Sequence, residues 1–191
     1  MKLILASGSP YRRELLARLR IPFDVQAPDI DEAPRAQEAP PALARRLART
    51  KAETIATASP GCIVIGSDQV ATLDGVTPIG KPGTHAAACR QLQAASGRIM
   101  HFHTAFVVLA PGCPAIEGCV PVAVEFRRLG DAEIERYLAL EQPFDCAGAA
   151  KCEGLGIALL KSIRTDDPTA LIGLPLMQVA EALRQVGLPP T

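Results

Sequence analysis

The amino-acid sequence predicts a single domain of the α/β class, and three stretches of the chain carry this prediction. Residues 2–6 form a short apolar run of strand length, which ends in a turn and is followed by a leucine-rich helical pattern. Residues 62–68 form a continuous, largely β-branched run, which is typical of a strand covered on both faces. Two longer strand-like runs at 99–110 and 116–128 indicate an antiparallel hairpin.

The first helix is predicted to begin at the turn Ser7-Gly8-Ser9-Pro10. Ser9 suits the N-cap position, and Pro10 suits the first helical position because its missing N–H would have had no partner there. Three leucines then recur at helical spacing and are expected to pack on the first strand, namely Leu15, Leu16 and Leu19.

Arg12 and Arg13 place two positive charges in the first turn of this helix, where the helix dipole and the unpaired N–H groups are already positive. One interpretation is that a phosphate binds at the turn and that both guanidiniums clamp its oxygens. The other is that both arginines are solvated and that Glu14 offsets their charge. The stretch alone leaves both interpretations open.

The composition excludes several functional classes. A chain of 191 residues suits one well-buried domain over residues 1–191. Twenty basic and twenty acidic residues balance, so no overall field attracts nucleic acid or an anionic membrane, and 4% aromatic residues without Trp argue against a base-stacking platform. The six cysteines lack metal-site spacing and are expected to be reduced thiols. No run approaches the roughly 18 apolar residues of a membrane span, so a cytoplasmic location is expected.

The next stretch contains a predicted edge strand at 23–27, which leads into the acidic loop Asp29-Ile30-Asp31-Glu32. The three carboxylates of this loop either bind a metal or are simply solvated, and the loop alone favours the second interpretation. Residues 41–58 then show helical periodicity. Lys51 lies in this helix among several surface charges, and its spacing by itself assigns it no role.

Asp68 ends the predicted buried strand. Ligands of open α/β sheets bind beyond the carboxyl ends of the strands, so Asp68 and the turn from Ser7 to Arg13 are expected to share one crevice. The alternative is that Asp68 only caps the next turn. Residues 69–75 have the pattern of a strand and hairpin turn rather than of a helix, which favours the crevice.

The segment Gly80-Lys81-Pro82 holds its lysine on a constrained backbone, from which the ammonium could reach a phosphate as a point charge. Thr84 is expected to cap the helix that follows. His101 and His103 alternate onto one face of the predicted hairpin. Two imidazoles without a third ligand favour strand-surface residues over a metal site.

The last part of the chain is predicted to begin with a helix that Asp131 caps and that extends through Leu140. The small residues of the loop at 146–156 permit the close approach of a flat ligand. A short strand is expected at 156–160, and a final helix at 175–186 should end at Gly187.

Taken together, these motifs resemble those of the Maf family of nucleoside triphosphate pyrophosphatases over essentially the whole chain. The matching stretches are ASGSPYRRELL (6–16), DIDE (29–32), the helix of Lys51, GSDQV (66–70), GKP (80–82), CAGAAKCEGLG (146–156) and DPTALIGLPL (167–176). Several separated motifs in the same order are more specific than any one of them.

The resemblance implies a fold and a reaction. The implied fold is an α/β structure around a long curved mixed β-sheet flanked by helices, related to inosine triphosphate pyrophosphatases. The implied reaction is hydrolysis of a nucleoside triphosphate between the α and β phosphates, which releases pyrophosphate with the help of a divalent metal, Mg²⁺ or Mn²⁺. The resemblance also implies a homodimer, whereas the expectation that neither nucleic acid nor a membrane is a partner comes from the charge balance and the lack of a long apolar run.

The resemblance further implies roles for individual residues. Asp68 is the implied general base, although a carboxylate beside a metal can instead act as its ligand, and Glu32 would assist metal or water binding. The implied phosphate contacts are Ser7, Ser9, Arg12, Arg13, Lys51 and Lys81. Cations suit this task because a metal-bound triphosphate keeps roughly two net negative charges.

Gln69 and Glu153 look like the branch of the family that acts on 7-methyl-GTP and removes this modified nucleotide from the pool. The branch that prefers dTTP and UTP typically has the sequence SDT and a Gln at these positions. The Watson–Crick edge of guanine offers two donors that suit a carboxylate, and N7 methylation makes the ring cationic. Two alternatives remain open: the same reaction on UTP, dTTP or CTP, and a nucleotide-binding regulator of cell division without turnover.

Overall fold

A mixed β-sheet of six strands organises the protein, and the computed structural model describes residues 1–190. The strands, numbered in chain order, are β1 (Leu3–Ala6), β2 (Phe23–Val25), β3 (Ile63–Thr72), β4 (Ile99–Leu109), β5 (Ile116–Phe126) and β6 (Leu160–Arg164). Their order across the sheet is β2-β1-β3-β4-β5-β6. The predicted edge strand, β2, does lie at the edge.

Five α-helices and three short 3₁₀ turns connect these strands. The helices are α1 (Pro10–Ala17), α2 (Pro40–Ala58), α3 (His85–Ala95), α4 (Asp131–Glu141) and α5 (Leu176–Gln185). The 3₁₀ turns are Ala147–Ala149, Leu155–Leu159 and Pro168–Ile172. Within residues 1–190, none of the helices combines the length and the apolar character of a membrane span.

The sheet is parallel at one end and antiparallel at the other. β1 pairs in parallel with both β2 and β3, and every other neighbouring pair is antiparallel. β4 and β5 form the predicted hairpin, with a register from Ile99 opposite Glu125 to Val108 opposite Ile116. The α/β class with a mixed sheet is therefore confirmed.

The start of α1 follows its local sequence signals. The Ser9 hydroxyl accepts a hydrogen bond from the Arg12 backbone N–H, and Pro10 occupies the first helical position. Leu15 and Leu16 are fully buried, so the helix packs on the sheet by the face that its spacing predicted.

Alternate residues of β1 face opposite layers of the protein. Leu3 and Leu5 pack in one apolar cluster with α1 and α5, whereas Ile4 and Ala6 pack in another with α2. A third cluster joins α3 and α4 to β4 and β5. Both faces of the central strands are therefore covered, as the β-branched run predicted.

Three predicted boundaries are wrong. β3 does not end at Asp68 but continues to Thr72, because β4 pairs with it along that whole length. The strand and turn pattern of residues 69–75 is confirmed, since these residues form the end of β3 and the bend that follows it. The strand expected at 156–160 is instead a 3₁₀ turn, closed by the Ile157 N–H on the Gly154 carbonyl, and β6 follows it on the edge of β5. The N-cap of α4 is Gly130, which leaves Asp131 in the first helical position, where its charge favours the helix dipole.

Gly66 allows α2 to lie directly against β3. A Cβ atom at this position would lie 2.2 Å from the Ala48 carbonyl oxygen and 2.8 Å from the Ala52 nitrogen. Both neighbours are backbone atoms of α2, so neither can move away as a flexible side chain would. A side chain at residue 66 therefore forces the helix and the strand apart.

We expect Gly66→Ala to lower the free energy of unfolding by about 2–3 kcal/mol, because overpacking a rigid contact costs that much. Urea denaturation followed by circular dichroism measures the change. Gly80→Ala is the matched control, because no heavy atom lies within 4 Å of its Cβ position and its φ is not positive. If Gly66→Ala were as stable as this control, α2 and β3 would not be in close contact at residue 66.

Candidate active site

A cleft of about 720 Å³ opens where β1 ends, and it collects most of the predicted site residues. Nine of the ten line it, namely Ser7, Ser9, Arg12, Glu32, Lys51, Asp68, Gln69, Lys81 and Glu153. These residues come from α1, α2, β3 and four connecting segments that are distant in sequence. Only the fold brings them together.

The cleft exists because β1 is short and β3 is long. The two strands pair only as far as Ala6 opposite Gly66, so the next residues of β3 have an open edge on the β1 side. Side chains alternate along a strand, and Gly66 faces α2, so Asp68 faces α2 as well. The Ser7–Ser9 turn follows the end of β1 and forms the adjoining wall.

Lys51 lies at the centre of the site, between two carboxylates. Its Nζ is 2.6 Å from Asp68 Oδ1 and 2.6 Å from Glu32 Oε1. Lys51 and Asp68 are both buried, whereas the Glu32 side chain is 58% exposed. The two carboxylate oxygens are therefore held within two hydrogen-bond lengths of each other. The sequence assigned no role to Lys51 by its spacing, because its partners lie on a loop and a strand.

Glu32 is held in its ionised form by the cations around it. Its partial burial acts to raise its pKa, but the Lys51 hydrogen bond and the charges of Lys51, Lys81 and Arg12 outweigh burial and lower the pKa below its usual value. Glu32 thus carries a negative charge at neutral pH. The lowered pKa of Glu32 therefore reflects three cations that all act on its carboxylate.

Arg12 reaches the cleft with its guanidinium already oriented. Its Nε donates to the Gly173 carbonyl at 2.7 Å, and its Nη1 donates to Ser7 Oγ at 3.4 Å. Burial lowers the pKa of Arg12, and the negative charges of Asp68 and Glu32 oppose this effect. Asp68 and Glu32 therefore offset part of the positive charge at the first turn of α1.

Arg13 is the predicted phosphate contact that the structure does not bring to the cleft. It is exposed and lines a separate surface depression with Arg20, Phe23 and Asp24. Consecutive residues of an α-helix point about 100° apart, so Arg12 and Arg13 face different directions. The sequence could have predicted this difference in direction, because it already predicted where α1 begins.

Gln69 ties β3 to the loop that precedes α5. Its side-chain nitrogen lies 3.0 Å from Thr104 Oγ1, 2.9 Å from the Ala170 carbonyl and 2.9 Å from the Leu171 carbonyl. The protein thus uses the donors of this amide, and the group left for a ligand is its carbonyl oxygen.

Acidic and aromatic side chains also line the cleft. Tyr11, Asp145 and Glu153 are among them, and the Tyr11 hydroxyl donates to Asp145 at 3.0 Å. The Lys151 ammonium lies 5.6 Å from the centre of the Tyr11 ring. Our sequence reasoning missed Tyr11 and Asp145, although Tyr11 stands inside the first motif, between Pro10 and Arg12, where its neighbours could have indicated it.

The thiols in this region are not reactive nucleophiles. The six cysteines, all of them among the described residues, are free. Burial raises the pKa of Cys146 to about 11 and that of Cys152 to about 12, so both remain protonated at neutral pH. The expectation of reduced thiols agrees with this arrangement.

Residues 1–190 contain no group of three or more His, Cys, Asp or Glu side chains arranged to hold a metal ion. Burial, followed by the neighbouring His101, lowers the pKa of His103. Mg²⁺, however, is usually held by one or two carboxylates together with substrate phosphates. Asp68 and Glu32 together provide two such carboxylates.

Comparisons with known proteins identify relatives of this chain. The family model described as Maf-like protein matches residues 2–186. A 7-methyl-GTP pyrophosphatase from Albidiferax ferrireducens is 56% identical over 189 residues, which cover 98% of this chain and 94% of that protein. A 7-methyl-GTP pyrophosphatase from Bordetella avium is also 56% identical over 189 residues, with 99% and 95% of the two chains covered.

A solved structure supports the fold. A HAM1 protein from Coxiella burnetii superposes with a TM-score of 0.53 at 19% identity, covering 97% of this chain and 99% of that one. The likeness shows a shared architecture at low sequence identity. A family match of this length, with relatives more than half identical over nearly the whole chain, shows that the protein belongs to the Maf family.

Proposed function

We propose that the protein hydrolyses 7-methyl-GTP to 7-methyl-GMP and pyrophosphate. The observation that carries this proposal is the buried Lys51 held between Asp68 and Glu32, in a cleft that Arg12 and Lys81 also line. This group combines a carboxylate for proton transfer with cations for a polyphosphate. The names of the relatives support the choice of substrate.

The cations that line the cleft suit the triphosphate. Arg12, Lys51 and Lys81 supply positive charge, and the hydroxyls of Ser7 and Ser9 add hydrogen-bonding groups at the N-terminus of α1. The start of a helix favours anions through its free N–H groups. Arg13 has no part in this proposal, because it faces another surface.

Asp68 is the group best placed to act on the attacking water. In the proposed reaction, the water oxygen forms a bond to the α-phosphorus while Asp68 accepts its proton. The bond between the α-phosphorus and the bridging oxygen breaks, and its electron pair leaves with pyrophosphate. Lys51 fixes the orientation of the Asp68 carboxylate through the 2.6 Å hydrogen bond.

Asp68 and Glu32 would hold a divalent cation, Mg²⁺ or Mn²⁺, together with phosphate oxygens of the substrate. When bound, such an ion neutralises charge on the phosphates and on the leaving group. Glu32 suits this task because it is ionised and exposed towards the cleft. Asp68 would thus be shared between proton transfer and ion binding.

Glu153 would select the base. Its carboxylate offers two acceptors to the N1–H and the amino group of guanine, whereas uracil offers one donor between two acceptors. Asp145 adds a second carboxylate to the lining of the cleft. A ligand with a polyanionic tail and a cationic base matches a cleft that is lined by both cations and carboxylates.

The same proposal treats residues 1–191 as one domain, because a single sheet joins the three apolar clusters that surround it. The homodimer and the cytoplasmic location stay predictions of the family resemblance. Light scattering of the purified protein and fractionation of cells test them.

We expect the protein to release pyrophosphate from 7-methyl-GTP with a higher kcat/KM than from GTP, UTP, dTTP or CTP, in the presence of Mg²⁺ or Mn²⁺. Asp68→Asn should lower kcat by at least about 100-fold, which is the usual contribution of a general base. Asp131→Asn, a carboxylate at the start of α4 outside the cleft, should leave kcat unchanged. Equal background release by the wild type and Asp68→Asn would instead favour a regulator without turnover.

We expect Glu153→Gln to lower the ratio of kcat/KM for 7-methyl-GTP to that for UTP by about tenfold. The reason is that an amide leaves one guanine donor without an acceptor and loses the attraction to the cationic ring. Steady-state kinetics on both nucleotides measure the ratio, with Glu181→Gln on α5 as the matched control. An unchanged ratio would show that Glu153 does not read the base.

A further inference from the structure

Glu32 lies on a loop that is anchored before it and exposed after it. Residues 26–39, between β2 and α2, contain no helix or strand; Ile30 packs on the apolar cluster of α2, whereas residues 31–37 are exposed. The Glu32 side chain is more than half exposed, and its contact with the cleft is the ion pair with Lys51. The exposed part of such a loop is free to move unless something besides that ion pair holds it.

Arg46 on α2 provides such a hold. Its Nε donates to Glu38 Oε1 at 2.6 Å and its Nη2 donates to Glu38 Oε2 at 2.7 Å, which makes a two-point guanidinium–carboxylate pair. The same Nη2 donates to the Ala33 carbonyl at 3.0 Å. Ala33 is the residue next to Glu32. Arg46 therefore contacts the loop at two places, at Glu38 near the end of the loop and at Ala33 beside Glu32.

The Arg46–Glu38 ion pair is largely shielded from solvent and is supported by a further hydrogen bond. The Arg46 and Glu38 side chains are 17% and 10% exposed, and the Arg35 backbone N–H adds a third hydrogen bond to Glu38 at 3.0 Å. The Arg46 hydrogen bonds, followed by that of Arg35, lower the pKa of Glu38 to about 2. A depressed carboxyl pKa means that the ionic contact is complete at neutral pH and is lost only as the pH falls towards that value.

Helix α2 therefore holds the loop at two points. Arg46 and Lys51 are five residues apart, about 7.5 Å along the helix axis. Lys51 contacts the carboxylate of Glu32, whereas Arg46 contacts the backbone that carries it. Neither Arg46 nor Glu38 lines the cleft, so neither is placed to touch a ligand there.

We propose that the Arg46–Glu38 pair positions Glu32 for the reaction by holding the loop backbone, so that its carboxylate stays opposite Asp68. Arg46 and Glu38 are thus positioning residues. The inference rests on the proposed role of Glu32 in binding the divalent ion. Without the pair, part of the binding free energy of the ion has to order the loop, so the ion binds more weakly while the bound site remains the same.

The test uses Arg46→Met and Glu38→Gln in the full-length protein. Both should raise the Mn²⁺ concentration that gives half-maximal activity on 7-methyl-GTP by about tenfold, the usual effect of losing an outer support of a metal ligand. Both should leave kcat at saturating Mn²⁺ within about twofold of the wild type, because the assembled site is unchanged. Arg46→Lys should be intermediate, since an ammonium cannot make the two-point contact.

Arg49→Met is the matched control. Arg49 lies on the same helix and pairs with Glu53 at 3.2 Å and Glu117 at 2.6 Å, away from the loop. It should behave as the wild type does. A shift as large as that of Arg46→Met would overturn the inference, because any lost ion pair on α2 would then have the same effect.

Two further measurements separate this inference from the proposed function. Hydrogen exchange of the amides at 29–35, without metal or nucleotide, should be faster in Arg46→Met and unchanged in Arg49→Met, and unchanged exchange in Arg46→Met would overturn the inference even in an inactive protein. The double variant Glu32→Gln with Arg46→Met should need no more Mn²⁺ than Glu32→Gln alone. An additive shift would show that Arg46 acts by another route, whereas failure of the wild type to release pyrophosphate would overturn the proposed function alone.

Discussion

The contact on which the rest of the site depends is the buried ammonium of Lys51 between Asp68 and Glu32. A lysine inside a protein is unfavourable unless opposite charges compensate its lost hydration, and here two carboxylates do so at 2.6 Å each. The three residues come from a helix, a strand and a loop, so this one nitrogen joins three separate parts of the fold. It also keeps two like charges close together, which neither carboxylate would tolerate without it.

The sheet creates the space in which this contact lies. β1 stops after four residues, while β3 continues for six residues beyond the last pair that the two strands share. That difference leaves an open edge at Asp68, and the apolar layers on both sides keep the edge rigid. The close approach of α2 at Gly66 sets the distance from Lys51 to the strand. Packing far from the reacting groups thus determines the geometry of the ion pair.

The cleft concentrates charges of both signs, although the protein as a whole is neutral. Arg12, Lys51 and Lys81 act on Glu32, and Asp145 and Glu153 also line the cleft. A local field of this kind can attract a ligand that carries both signs without drawing polyanions to the rest of the surface. The Gly173 carbonyl and the Gln69 contacts to residues 170 and 171 hold the segment before α5, part of which lines the cleft.

The sequence by itself determined whatever depends on neighbouring residues: the capped start of α1, the buried run of β3, the β4–β5 hairpin and the motif residues, nine of which line one cleft. Only the tertiary structure decided that Arg12 rather than Arg13 faces the cleft, that β4 pairs with β3 as far as Thr72, that Lys51 bridges two carboxylates and that Arg46 holds the loop of Glu32. Capping, periodicity and turn signals act over a few residues, and so they can be read along the chain. The direction of a side chain, the extent of a strand and the partner of a charge depend on residues that come close only when the sheet and its helices have packed together.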